Sequence, residues 1–108
     1  MFPHKVSLAD ATEKLSQHNK EFLLLFQNST LDVELYKPHL VDKQTPHDRD
    51  EVYIIATGEA TFELEGKITD VRTGDFLFVP AYAAHKFTTF SEDFSTWVLF
   101  FGPVVIEE

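Results

Sequence analysis

The sequence contains no cysteine. Disulfide staples, thiolate zinc sites and cysteine nucleophiles are thereby excluded, and the chain fits a reducing, cytoplasmic compartment. Basic residues are scarce: 9 Lys and Arg stand against 18 Asp and Glu, for a formal charge of -9. That balance repels phosphate backbones and leaves no basic stripe, so nucleic acid is not an expected partner. No apolar run approaches the length of a membrane span, and the opening MFPHKVSLADATEKL lacks an apolar leader pattern. Neither a membrane partner nor secretion is expected. With 44% hydrophobic and 25% charged residues the chain is too apolar for a disordered tail. Its 108 residues predict one domain, 1–108, able to bury a core without staples.

Helical signals are equally sparse. Ser7 to Ser16 is the one convincing candidate: Ser7 can cap, Asp10 stands where the capping-box acid belongs, and Leu8, Ala11 and Leu15 share a face. What fills the rest is β-branched and aromatic. Strands are predicted over Phe22–Gln27, Leu31–Lys37, Glu51–Thr57, Ala60–Glu65, Phe76–Pro80, His85–Phe90 and Ser95–Phe101, with a weaker one over Lys67–Val71. Turn residues separate them: Asn28-Ser29, Gly58, Glu65-Gly66, Thr73-Gly74-Asp75 and Ser91-Glu92-Asp93. No gap has room for a helical crossover, so parallel pairing is out. The prediction is an all-β antiparallel sandwich or barrel with a short N-terminal helix.

Alternation indicates faces. Leu31, Val33 and Leu35 alternate with Asp32, Glu34 and Tyr36, and Phe62 and Leu64 with Thr61, Glu63 and Glu65; the polar sets read as solvated. Three runs are apolar on both sides, Phe22–Phe26, Phe76–Val79 and Trp97–Phe101. Either the helix and the tail Pro103–Glu108 roof the outer sheet, or a second copy covers it; a homodimer is the expected remedy.

Five histidines are the main carriers of chemistry: His4, His18, His39, His47 and His85. His4 and His18 lack a partner pattern and read as surface groups; His39, after Pro38 in a turn-like stretch, reads as a solvent-facing loop residue, with a place at a pocket rim the alternative. His47 and Glu51 lie four apart, which on a straight strand means about 13 Å, too far for one ion with bonds of about 2.0–2.2 Å. They can share a metal only if Asp48-Arg49-Asp50 turns the chain, so that His47 ends one strand and Glu51 begins the next.

These residues resemble the cupin family, small β-barrels of jelly-roll type. The family's first motif, G-x5-H-x-H-x3,4-E-x6-G, is matched at His47, Glu51 and Gly58; the second, G-x5-P-x-G-x2-H-x3-N, at Gly74, Pro80 and His85. The segments DEVYIIATGEA and GDFLFVP read like cupin strands in register. The resemblance spans roughly residues 31–101 as barrel, with the helix and first strand, 7–28, outside it. It implies a double-stranded β-helix with His47, Glu51 and His85 around one divalent metal, Fe, Mn, Zn or Ni. It also implies that the family's first histidine is replaced by Thr45, its post-proline glycine by Tyr82 and its closing asparagine by Thr89. Gln44 or Thr45 would then supply a weak fourth ligand or hold a water. The alternative is a degenerate site in which His47 and Glu51 only hydrogen-bond across a polar pocket.

For the pocket, Tyr36, Tyr53, Phe62, Phe78, Tyr82 and Trp97 are the predicted lining, with Phe76 and Phe87 in the barrel interior. A small organic ligand is the expected partner. The resemblance implies mononuclear-metal chemistry on it: dioxygenation first, because iron with open positions suits two histidines and a carboxylate, then isomerisation or decarboxylation. The competing class is a non-catalytic cupin that binds a small ligand or sugar, or a dimeric scaffold without metal.

Overall fold

The computed structural model describes residues 4–18 and 20–106. Among them the chain forms α1 (Leu8–Gln17) and eight strands: β1 (Phe22–Gln27), β2 (Leu31–Tyr36), β3 (Asp50–Thr57), β4 (Glu59–Leu64), β5 (Lys67–Arg72), β6 (Phe76–Val79), β7 (His85–Phe90) and β8 (Ser95–Phe101). All pairings are antiparallel, in a five-stranded sheet ordered β1-β2-β8-β3-β6 and a three-stranded sheet ordered β5-β4-β7. The weak segment at 67–71 is a full strand because β4 pairs with it along its whole length.

The helix starts where the capping residue puts it. Ser7 is extended, and its hydroxyl accepts from the Asp10 N–H at 3.1 Å. Ala11 and Leu15 are buried against Leu25 and Leu35, so α1 roofs the outer side of the sheet at its β1-β2 end. A second core lies between the sheets: Tyr53, Ile55, Phe62, Phe87, Phe94 and Val98 are each almost wholly buried there. Gly58 shows how tightly the strand ends pack. It sits at φ +77°, and a Cβ there would meet Ser91 Oγ at 2.5 Å and the Phe94 Cα at 2.8 Å.

The face assignment of β2 is the reverse of the expectation. Leu35 packs under α1, while Tyr36 belongs to the inter-sheet core. Glu34 pairs with Val98, an inward residue of β8, and therefore also faces inward. The cause is the helix: it makes the outer face the dry one at this end, leaving the inner face free to carry polar groups. Three aromatic placements are corrected as well. Trp97 lies on the outer face with the helix cluster, and Phe76 and Phe78 are 63% and 46% exposed on the edge strand β6. The tail does not roof the outer sheet as far as it is described: the Val105 N–H donates to the Asp48 carbonyl at 2.7 Å, beside the His47 segment. Glu107 and Glu108, included in that expectation, lie outside the described residues.

Candidate metal centre

Three elements converge at one end of the inter-sheet space. Residues 42–47 are irregular, the chain bends at Asp48 and Arg49, and β3 begins at Asp50. The bend brings His47 back toward Glu51, the second residue of β3, as the metal reading requires. His47 itself ends no strand; it stands in irregular chain, anchored where its carbonyl accepts from the Tyr82 N–H at 2.6 Å. His85 opens β7 from the facing sheet.

His85 Nε2 lies 3.2 Å and His47 Nε2 3.8 Å from Glu51 Oε1. One ligand atom from each of the three residues lies within 4.8 Å of the others. Glu51 is fully buried and His85 nearly so, whereas His47 is partly exposed. His85 Nδ1 is 2.8 Å from the Ala83 carbonyl, which can only accept, so Nδ1 carries a proton. The Nε2 lone pair of the neutral ring then points at a carboxylate. Two acceptors face one another there unless a proton or a cation lies between them. Burial pulls the His85 imidazolium down, but the Glu51 carboxylate, the Ala83 carbonyl and Asp42 outweigh it and hold the pKa above its ordinary 6.5.

The decisive feature is what these atoms lack. His47 Nε2, both Glu51 carboxylate oxygens and His85 Nε2 are all buried without a hydrogen-bond partner. Buried polar atoms are almost always paired, and four orphans aimed at one point form a donor set fitted to a divalent ion. The Ala83 carbonyl on His85 Nδ1 is the outer contact that orients a ligating imidazole.

Thr45 does not stand for a lost ligand. The cluster of His47, Glu51 and His85 is an intact two-histidine, one-glutamate triad, which corrects the reading of a site truncated by a histidine-to-threonine replacement. Thr45 is exposed on the wall of a cleft of about 440 Å³. Gln44 has both ends of its amide engaged: its oxygen accepts from the Tyr53 hydroxyl at 2.6 Å, and its nitrogen donates to Asp42 Oδ2 at 2.9 Å.

The same cleft is walled by Tyr36, Glu34, Phe22, Lys43, Val98, Phe100 and His47. Tyr36 donates to Asp42 at 2.6 Å, and burial together with that bond keeps its pKa far above the usual phenol value. Tyr53 reaches Gln44 from the core; burial first, then the Glu51 charge, raise it as well. Phe62 is core, in contact with the Tyr53, His85 and Phe87 rings. Tyr82, Phe78 and Trp97 do not reach the cleft. Tyr82 donates its hydroxyl to the Val105 carbonyl and adopts φ +69° at the position where the motif has glycine.

Two acids went unnoticed in the sequence. Asp42 is buried and accepts from the Tyr36 hydroxyl, the Gln44 backbone and side-chain amides, and the Phe87 N–H at 2.8 Å, tying segment 42–47 to β7. Glu34 lies across the cleft, with a pKa pushed up to about 7 by burial first and then by Glu51 and Asp32. One signal was available for it: alternation puts Glu34 on the same face as Tyr36, already a pocket candidate.

No helix among the described residues is long and apolar enough to cross a membrane. Over 84 residues, covering 76% of this chain and 80% of the other, the sequence is 36% identical to the uncharacterized protein SCO3923 of Streptomyces coelicolor. The fold is similar to that of KdgF from Halomonas sp., with TM-score 0.67 at 20% identity over 76% of this chain and 77% of that one. It is also similar to the DMSP lyase DddQ from Ruegeria pomeroyi, with TM-score 0.62 at 26% identity over 74% of this chain and 42% of the lyase. The cupin domain model matches residues 32–101, from β2 through the last strand. That stretch contains all three triad residues and every strand but β1, and the chain accordingly belongs to the cupin family.

Proposed function

We propose that the chain, read as one domain over 1–108, is an enzyme that holds one divalent metal at His47, Glu51 and His85 and acts on a small organic molecule in the adjoining cleft. The observation that carries this reading is the set of four buried, unpartnered donor atoms. Bound there, the metal would supply a positive charge that polarises a carbonyl or carboxylate oxygen. We place isomerase or lyase chemistry first, supported by the likeness to a DMSP lyase. A dioxygenase is the second reading, because two histidines and one carboxylate also suit open-coordinate Fe(II).

Metal content per chain, measured after chelator-free purification, tests the proposal together with the same measurement on His85→Ala. Stoichiometric metal that is lost in the variant supports it. A wild-type chain with no metal, whose thermal midpoint is unmoved by Fe(II), Mn(II), Zn(II) or Ni(II), refutes it and leaves a non-catalytic binding module. Oxygen uptake that requires iron selects the dioxygenase; turnover with Zn(II) selects the redox-neutral chemistry.

A homodimer is part of the same proposal. Ile54, Phe76 and Phe78 are exposed together on the outer side of β3 and β6, away from the patch that α1 covers. An apolar face of that kind favours a second copy.

A further inference from the structure

The cleft holds one acid that the protein's own hydrogen bonds leave unused. Asp42 is saturated by four donors, and Glu21 accepts from the His39 N–H at 2.9 Å. The Tyr36 and Tyr53 hydroxyl protons are committed to Asp42 and Gln44. Among the described residues Glu34 has no such partner, although its carboxyl is on the cleft wall.

Register explains its position. Glu34 pairs with Leu24 on one side and with Val98 on the other, and Val98 pairs with Tyr53. Glu34 therefore sits two strand spacings, about 10 Å, from the β3 row that carries Glu51. The space between is floored by Val98 and Phe100, and His47 stands at the wall. A small molecule held at the triad would extend toward Glu34 across that floor.

We infer that Glu34 is the proton-transfer group of this site, taking a proton from the carbon next to a carbonyl of a small keto or hydroxyketo compound and returning it. The inference rests on the metal-enzyme reading above. In the step a C–H bond breaks and its electron pair forms a C=C bond. The carbonyl π pair moves to oxygen, and the proton forms an O–H bond on the Glu34 carboxylate. Reprotonation of the same carbon restores both the carbonyl and the carboxylate, and no oxidant is consumed. A divalent ion at the triad would supply the charge that stabilises the oxygen. In the metal-free protein burial first, then the Glu51 and Asp32 charges, push the Glu34 pKa up to about 7, which suits a group that must both take and return a proton near neutral pH. The charged or titratable groups facing it are Asp32 and Tyr36 on its own strand, Glu51 on β3, His47 and Lys43 on segment 42–47, and Glu21 before β1.

The test uses Zn(II)-loaded wild type, Glu34→Gln and Glu34→Asp, with pyruvate and hydroxyacetone as probes. Exchange of their C–H hydrogens with D2O is followed by proton NMR, and bound zinc is counted in the same samples. Wild type should exchange at least one probe in a zinc-dependent way, with a rate that falls on the acid side. Glu34→Gln should keep its zinc and its fold, lose about 100-fold or more of the exchange and lose that acid limb, while Glu34→Asp retains part of the rate. Exchange at the wild-type rate in Glu34→Gln overturns the inference alone. Absence of zinc from the wild type overturns the inference together with the reading beneath it, whereas zinc bound without zinc-dependent exchange overturns the inference alone.

Discussion

Replacing Glu34 with Gln should stabilise the metal-free protein, and only above a defined pH. Glu34 titrates near 7 when folded, against 4.5 for the free side chain. Between those values the folded state binds the proton that the unfolded state has released. Stability therefore falls as pH rises through that window and levels off above it. A fully buried group with this shift would forfeit about 3.4 kcal/mol, but Glu34 is partly solvated, and screening reduces the expected effect to about 1–2 kcal/mol. Glutamine keeps the shape and removes the charge, so Glu34→Gln should exceed wild type by about 1–2 kcal/mol near pH 8 and match it near pH 5. Urea unfolding of chelator-treated proteins across this range measures the gap. A saturating divalent ion should narrow it by neutralising Glu51, the larger of the two charges that oppose ionisation. Parallel stability curves for the two proteins at every pH would refute the reasoning, since they would mean that Glu34 is solvated and pointing out of the cleft.

Other perturbations read other parts of the structure. Gly58→Ala forces a Cβ onto Ser91 and the Phe94 backbone at positive φ, and denaturant titration should show a loss of about 2–4 kcal/mol. Asp42→Ala strands the buried Phe87 N–H and frees Gln44 and Tyr36; about 2–4 kcal/mol of stability should go, with an accompanying loss of metal affinity as segment 42–47 loosens. A metal at 100 times its Kd should add about 2.7 kcal/mol to wild-type stability and nothing to His85→Ala, as read by unfolding with and without chelator. Light scattering at micromolar concentration should give twice the 12.4 kDa chain mass, and Phe76→Asp with Phe78→Asp should halve it.

Local chemistry determined a good deal of this protein from sequence alone. The Ser7 cap, the β-branched runs and the turn residues set the helix and all eight strands to within a residue or so, because each depends on neighbours a few positions away. Spacing singled out His47 and Glu51 and the need for a bend between them, and the resemblance to the cupin motifs added His85. What sequence periodicity cannot carry is which of two faces is inside. Alternation correctly put Asp32, Glu34 and Tyr36 together on β2, but α1, packing on the opposite side through Ala11 and Leu15, decided that this polar face lines the cleft. The same choice sent Trp97 under the helix, while the place of β6 at the sheet edge leaves Phe78 exposed. The completeness of the triad without Thr45, and the approach of Glu34 to it across β8, depend on strand register between segments far apart in the chain. Those distances come from sheet order and packing, which only the assembled tertiary structure sets.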